Sequence, residues 1–256
     1  MLASLVLAGS CKRNGTACGR MEYSRPDSGQ ISVARNDSAP APRIHIDYLE
    51  RAEGYTVSAD VFPERWPDCC HGSVRLHFVK DADAFDVLVE DLDLLDYLDR
   101  DSTCADGRSI VRHYSPAPHA DSLSWEHPFF FYDVDFDGEK EVVVASHGDG
   151  PQGSIAYHVF ETTGELRDDE PFDRIDSQSR LDAREKSVTQ NYCYGMLLGD
   201  VILKYVRQAD GAFLLTDSTH VDYLPDSEEC IRRHYRRKGD EMVLVDLTMV
   251  TKQNTI

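Results

Sequence analysis

Residues 129–146 read FFFYDVDFDGEKEVVVAS, and the rest of the chain is best approached from this stretch. Asp133, Asp135 and Asp137 alternate, Gly138 follows directly, and Glu141 comes four residues after Asp137. An aromatic run precedes the cluster and a β-branched run follows it. A D-x-D-x-D-G turn brings several carboxylates to one point, and calcium, a hard cation, takes carboxylate and carbonyl oxygens. Gly138 permits the sharp bend that aims them inward. A full EF-hand needs a Glu at the twelfth loop position. That position is Val144, so the helix–loop–helix form is excluded. The shorter variant closes at the ninth position, Glu141, with the backbone carbonyl of Glu139 at the seventh. The expected calcium ligands are therefore Asp133, Asp135, Asp137, Glu139 through its main chain, and Glu141, on a turn flanked by strands. A metal-free acidic hairpin is the plainer alternative, because Asp and Gly both favour turns. Three carboxylates on one turn, with a fourth close by, repel unless a cation neutralises them, and this favours the metal. Such a site fastens a fold and is weak evidence for catalysis.

Period-two alternation extends outward from the turn over most of the chain. RIHIDYLE, YTVSADVF, SVRLHFV, FDVLVED, SIVRHYS, FFFYDVD, EVVVASH, IAYHVFE, EKSVTQNY, DVILKYV, FLLTDST, IRRHYRR and EMVLVDL all read as strands. Turn signals such as Ala105-Asp106-Gly107, Thr163-Gly164, Ala209-Asp210-Gly211 and Gly239-Asp240 separate several of them. Only Phe172–Lys186 leaves room for a helical turn or two. Many short antiparallel strands imply an all-β body, a sandwich, a barrel or a β-propeller-like fold, with the EF-hand-like calcium turn between strands. No linker interrupts residues 43–256, which read as one β domain.

The first residues, MLASLVLAGSCKRNGT, form a short apolar segment that ends in small residues and Cys11. Residues 1–11 resemble the end of a bacterial lipoprotein signal peptide with Cys11 as the lipidated residue, although no Lys or Arg precedes the apolar run. Residues 12–42 contain SRPDSGQ and NDSAPAP and read as a flexible tether. The expected location is the periplasmic face of a bacterial membrane, most simply the outer membrane, with membrane contact only through lipid. Of seven cysteines, setting Cys11 aside leaves Cys18, Cys69, Cys70, Cys104, Cys193 and Cys230. An even remainder in an exported protein suggests disulfides, with roughly fifteen complete pairings possible. Those that join the vicinal Cys69 and Cys70 are disfavoured, because that geometry is strained.

The net charge of −19 disfavours nucleic acid and anionic membranes and favours calcium or a basic protein partner. The basic island Ile231–Lys238 places its charges on both faces of a strand, so pairing with neighbouring acids is the expectation. The segment Glu90–Asp101 lacks a glycine at the right place for a second cation site and reads as a solvated acidic stretch. None of the ten histidines forms an H-x-x-x-H pair, and they read as scattered. There is no G-x-S-x-G and no recognisable cysteine nucleophile, so no catalytic residue is assigned. The glycine-rich loop after the calcium-adjacent strand lacks the lysine and helix of a phosphate cradle. It is a candidate partner-binding loop, with His147, Asp149 and Gln152 as its contact residues.

Phe131 to Glu161 resembles a family of bacterial periplasmic proteins that carry a D-x-N/D-F-D-G-x-x-D/E turn, an apolar strand, a glycine-rich gap and a Y-x-x-F strand. Here these are Asp133–Glu141, Val142–Ala145, Gly148–Gly153 and Tyr157–Phe160, with Glu185–Val188 and Asp210–Phe213 fitting the layout downstream. The resemblance covers roughly residues 125–215, and the turn is its most specific part. The family includes calcium-binding lipoproteins that inhibit lysozyme-like enzymes and act as immunity proteins against secreted peptidoglycan-cleaving toxins. The resemblance implies a β-propeller-like fold, bound calcium and a basic lysozyme-like hydrolase as partner, with no enzymatic activity. The alternatives are an exported hydrolase with unidentified carboxylates, or a glycan-binding or scaffold lipoprotein.

Overall fold

The computed structural model describes residues 44–64, 71–94, 97, 108–114, 128–146, 154–193, 199–225 and 227–251. They lie within one compact unit, Ala41–Ile256. The expected leader 1–11 and tether 12–42 fall outside the described residues. Among the described residues the regular elements are fourteen strands and one short 3-10 helix at Phe172–Arg174, so the chain is all-β.

The first sheet contains β1 (Ile44–Tyr48), β2 (Thr56–Pro63), β3 (His71–Lys80), β4 (Asp83–Asp93) and β5 (Arg108–Arg112), in the order β4-β3-β2-β1-β5. Alternation decides its two faces. Val57, Ala59 and Val61 of β2 and Val74, Leu76 and Phe78 of β3 are buried, while the residues between them are partly exposed. One face packs on the core and one meets solvent, as antiparallel sheets allow. β5 is the exception to antiparallel order, because it runs parallel to β1. The acidic stretch Glu90–Asp101 is not simply solvated. β4 runs on to Asp93, and Leu92, Leu94 and Tyr97, which stand between the acids in the sequence, are buried.

The second sheet is small: β6 (Phe129–Tyr132), β7 (Glu141–Ala145) and β8 (Tyr157–Phe160), in the order β6-β7-β8. Apart from Glu141 and His158 its residues are apolar or aromatic, because both of its faces are covered. Phe129, Phe131, Val142, Val144 and Phe160 enter the core beneath the five-stranded sheet. Phe130, Val143, Ala145, Tyr157 and Val159 enter a second core with Phe172, Ile175, Leu181 and Val188. Successive side chains on a strand point to opposite faces, so FFF supplies two cores at once.

The third sheet holds β9 (Arg180–Asp182), β10 (Ser187–Cys193), β11 (Gly199–Arg207), β12 (Phe213–Tyr223), β13 (Glu229–Lys238) and β14 (Glu241–Thr251), in the order β14-β13-β12-β11-β10-β9. Sheets of five, three and six strands, layered through shared cores, make a sandwich rather than a ring of like blades among the described residues. The propeller-like expectation gives way to this layering. The basic island is neutralised as expected: Arg233 pairs with Asp222, Arg236 with Asp217 at 3.1 Å, and Arg232 approaches Asp246 at 3.8 Å. Of the cysteines expected to pair, Cys230 is buried, with its sulfur 3.3 Å from the Val250 carbonyl oxygen. Cys18, Cys69, Cys70 and Cys104 lie outside the described residues.

Candidate metal centre

The acidic turn joins β6 to β7, and Tyr132 opposite Glu141 is the rung nearest to it. Two left-handed residues make the bend, Phe136 at φ 63° and Gly138 at φ 100°. A positive φ is routine for glycine and uncommon for phenylalanine. Phe136 is held there by packing, since it and Val134 are buried in the second core. Its carbonyl also accepts a hydrogen bond from Lys186 Nζ at 3.3 Å.

The turn's amides close onto its own carboxylates. Asp137 N–H donates to Asp133 Oδ1 at 3.1 Å and to Asp135 Oδ1 at 3.0 Å. Gly138 N–H donates to Asp133 Oδ2 at 3.1 Å, and Val134 N–H to Glu141 Oε2 at 2.8 Å. Asp133, Asp135 and Glu141 each place one carboxylate oxygen within 4.8 Å of the other two. Oxygens that share one calcium at roughly 2.3–2.6 Å lie no more than about 5 Å apart. An all-oxygen set with two buried members, Asp135 and Glu141, therefore fits a hard cation and could hold one.

The expected ligand set is brought together in part. Asp137 is on the turn but outside the converged triad, because its Oδ1 accepts the Glu139 N–H at 2.7 Å. Glu139 is expected to contribute its main-chain carbonyl, and its exposed side chain takes no part in the triad. Cys11 and the loop residues His147, Asp149 and Gln152 lie outside the described residues.

Burial raises the Glu141 carboxyl to about 8, and the negative charges of Asp135 and Glu161 push the same way against the Val134 hydrogen bond. A cation beside Glu141 would reverse all of this. Part of the local charge is met by Arg167. Its Nη1 lies 2.9 Å from Asp135 Oδ2 and 3.4 Å from Glu161 Oε1, and its Nη2 lies 3.2 Å from Asp169 Oδ2. The guanidinium also sits 4.2 Å from the centre of the Phe172 ring. Arg167 ties the turn to the second core. Sequence carried no sign of this, because Arg167 stands in a polar segment 32 residues from Asp135.

No family model and no curated protein matches the chain. Among solved structures it is similar to a Xanthomonas type IV secretion system related protein, at 15% identity and a TM-score of 0.41, over 79% of this chain and 93% of that one.

Proposed function

We propose that this protein is an exported, calcium-binding, non-enzymatic lipoprotein that binds and inhibits a basic lysozyme-like peptidoglycan hydrolase, in the manner of an immunity protein. The observation that carries the calcium part is the converged oxygen triad Asp133, Asp135 and Glu141. The inhibitor part is supported by the resemblance of residues 125–215 and by the net charge of −19, which would speed encounter with a cationic enzyme. In this reading Cys11 carries the lipid, residues 12–42 are the tether, and the loop around His147, Asp149 and Gln152 meets the enzyme. That loop follows β7, so a metal fastening the turn would limit its freedom and lower the ordering cost of association.

The test has two arms. Calorimetry of the chelator-stripped chain should show one calcium bound, and the calcium-loaded chain should inhibit at least one enzyme in a panel of lysozyme-like hydrolases. Absence of calcium binding removes the metal reading. Calcium binding without inhibition removes the inhibitor reading and leaves a calcium-fastened scaffold or glycan-binding protein.

A further inference from the structure

Five polar side chains form a row across the outer face of the five-stranded sheet: His45 and Asp47 on β1, Asp60 on β2, His77 on β3 and Asp86 on β4. Register puts His45 opposite Asp60 and His77 opposite Asp86. Their chain neighbours Ile44, Ile46, Ala59, Val61, Leu76, Phe78, Phe85 and Val87 are buried, so alternation turns the row outward.

The contacts form a continuous chain. His45 Nε2 lies 3.2 Å from Asp47 Oδ1, and its Nδ1 lies 2.6 Å from Asp60 Oδ1. His77 Nε2 lies 3.0 Å from Asp60 Oδ2, and its Nδ1 lies 2.8 Å from Asp86 Oδ1. Both nitrogens of both rings therefore face a carboxylate oxygen. An ionised carboxylate only accepts, and a neutral imidazole offers one N–H and one lone pair. All four contacts are satisfied together only when each ring carries two protons. Among the described residues the Asp133–Asp135–Glu141 triad is the group whose ligand atoms converge within 4.8 Å, and the extended row is not such a group.

We propose that this row is a proton-operated clamp: with every ring nitrogen carrying a proton it ties β1 to β4, and it loosens when the His45 ring loses its second proton. Deprotonation of His45 leaves a lone pair of that ring against a carboxylate oxygen. It also removes one cation from a row that holds three carboxylates. The surroundings do not cancel this change. Arg75, opposite Asp60 in register on the same face, adds a cation whose charge is constant over this range. β5 presents uncharged Ser109 and Val111 on the sheet's outer side. The turn bearing Gly164 and Glu165 comes against the main chain of Asp86, where a Cβ on Gly164 would lie 2.4 Å from the Asp86 carbonyl oxygen.

The direction follows from linkage. The hydrogen bond to Asp60 holds His45 above its ordinary value despite partial burial. Its stabilisation is therefore complete below about pH 6.5 and lost as pH rises through the raised folded value. Burial would raise Asp60, but its bonds to His45 and His77 outweigh that and hold it low. Its contribution is present above about pH 3.9 and lost as pH falls through the depressed folded value. The clamp is strongest between these limits.

The experiment compares thermal unfolding of the full chain with that of His45→Gln/His77→Gln at pH 5.5 and pH 8.0, in chelator and at constant ionic strength. The parent should lose roughly 2–4 °C more than the variant on going to pH 8.0. Equal losses overturn the proposal. A second measurement on the parent alone stands even if the variant does not fold. Ring nitrogen-15 shifts at pH 6.0 should show both nitrogens of His45 protonated, and one bare nitrogen in that ring overturns the clamp.

Discussion

Gly138 and Gly164 both sit at positive φ, 100° and 85°, yet their surroundings differ. A Cβ on Gly138 meets nothing within 4 Å, whereas one on Gly164 comes within 2.4 Å of a backbone oxygen. Gly138→Ala should therefore cost only the backbone strain, about 1 kcal/mol. Gly164→Ala adds an overpacking term of roughly 1–3 kcal/mol, since a backbone carbonyl cannot swing aside. Urea midpoints of the two variants should separate in that order, and a reversed order would contradict the packing at Asp86. A second contrast concerns the turn itself. Asp133→Asn should weaken calcium binding by on the order of tenfold, since ligand charge tunes the affinity of such loops. Asp137→Asn should do much less, because Asp137 faces the Glu139 amide rather than the triad. Equal losses by calorimetry would mean that Asp137 swings in on binding, as the spacing in the sequence expects. The turn was legible because its geometry is local, with ligands and bend within nine consecutive residues. Arg167 and the His45–Asp60–His77 row were not, because each depends on which separate segments of the chain become neighbours.

Strand positions were readable for a related reason: alternation between core and solvent is written in each strand separately. Two features escaped. β9, at Arg180–Asp182, is three residues long and too short to show a period. The parallel pairing of β1 with β5 is a matter of register between segments more than fifty residues apart, and no local pattern encodes it. The run FFF was ambiguous in another way, because an unbroken apolar strand states only that both faces are covered. In the structure it feeds two separate cores, which sets up a test at the level of the element. Phe129→Ala and Phe130→Ala remove neighbouring side chains from opposite faces of β6, and each should cost roughly 3–5 kcal/mol. If β6 faced a single core, one of the pair would be nearly silent. Leu247→Ala, on the edge strand β14 and 59% exposed, should change stability by less than about 0.5 kcal/mol. Chemical denaturation of the three variants checks the layered arrangement against a one-sided sheet.

At the scale of the whole molecule, a net charge of −19 makes any cation stabilising, so a gain on adding calcium does not by itself identify a site. Sodium chloride at about 0.1 M screens exposed charges beyond roughly 10 Å and should raise the melting temperature of the chelator-stripped chain modestly. Calcium at millimolar concentration adds little ionic strength, so general screening predicts almost no effect from it. A specific site predicts a large one, because a ligand at a hundred times its Kd adds about 2.7 kcal/mol by mass action. For a chain of this size that corresponds to a rise of roughly 5–11 °C. The discriminating comparison is between the parent chain and Asp133→Asn, each melted with calcium and with sodium chloride. The sodium response should be the same in both, since one charge in nineteen barely alters the overall field. The calcium response should be large in the parent and nearly gone in the variant. If the variant keeps the full calcium response, the acidic surface at large takes up the ion and the β6–β7 turn is an ordinary acidic hairpin.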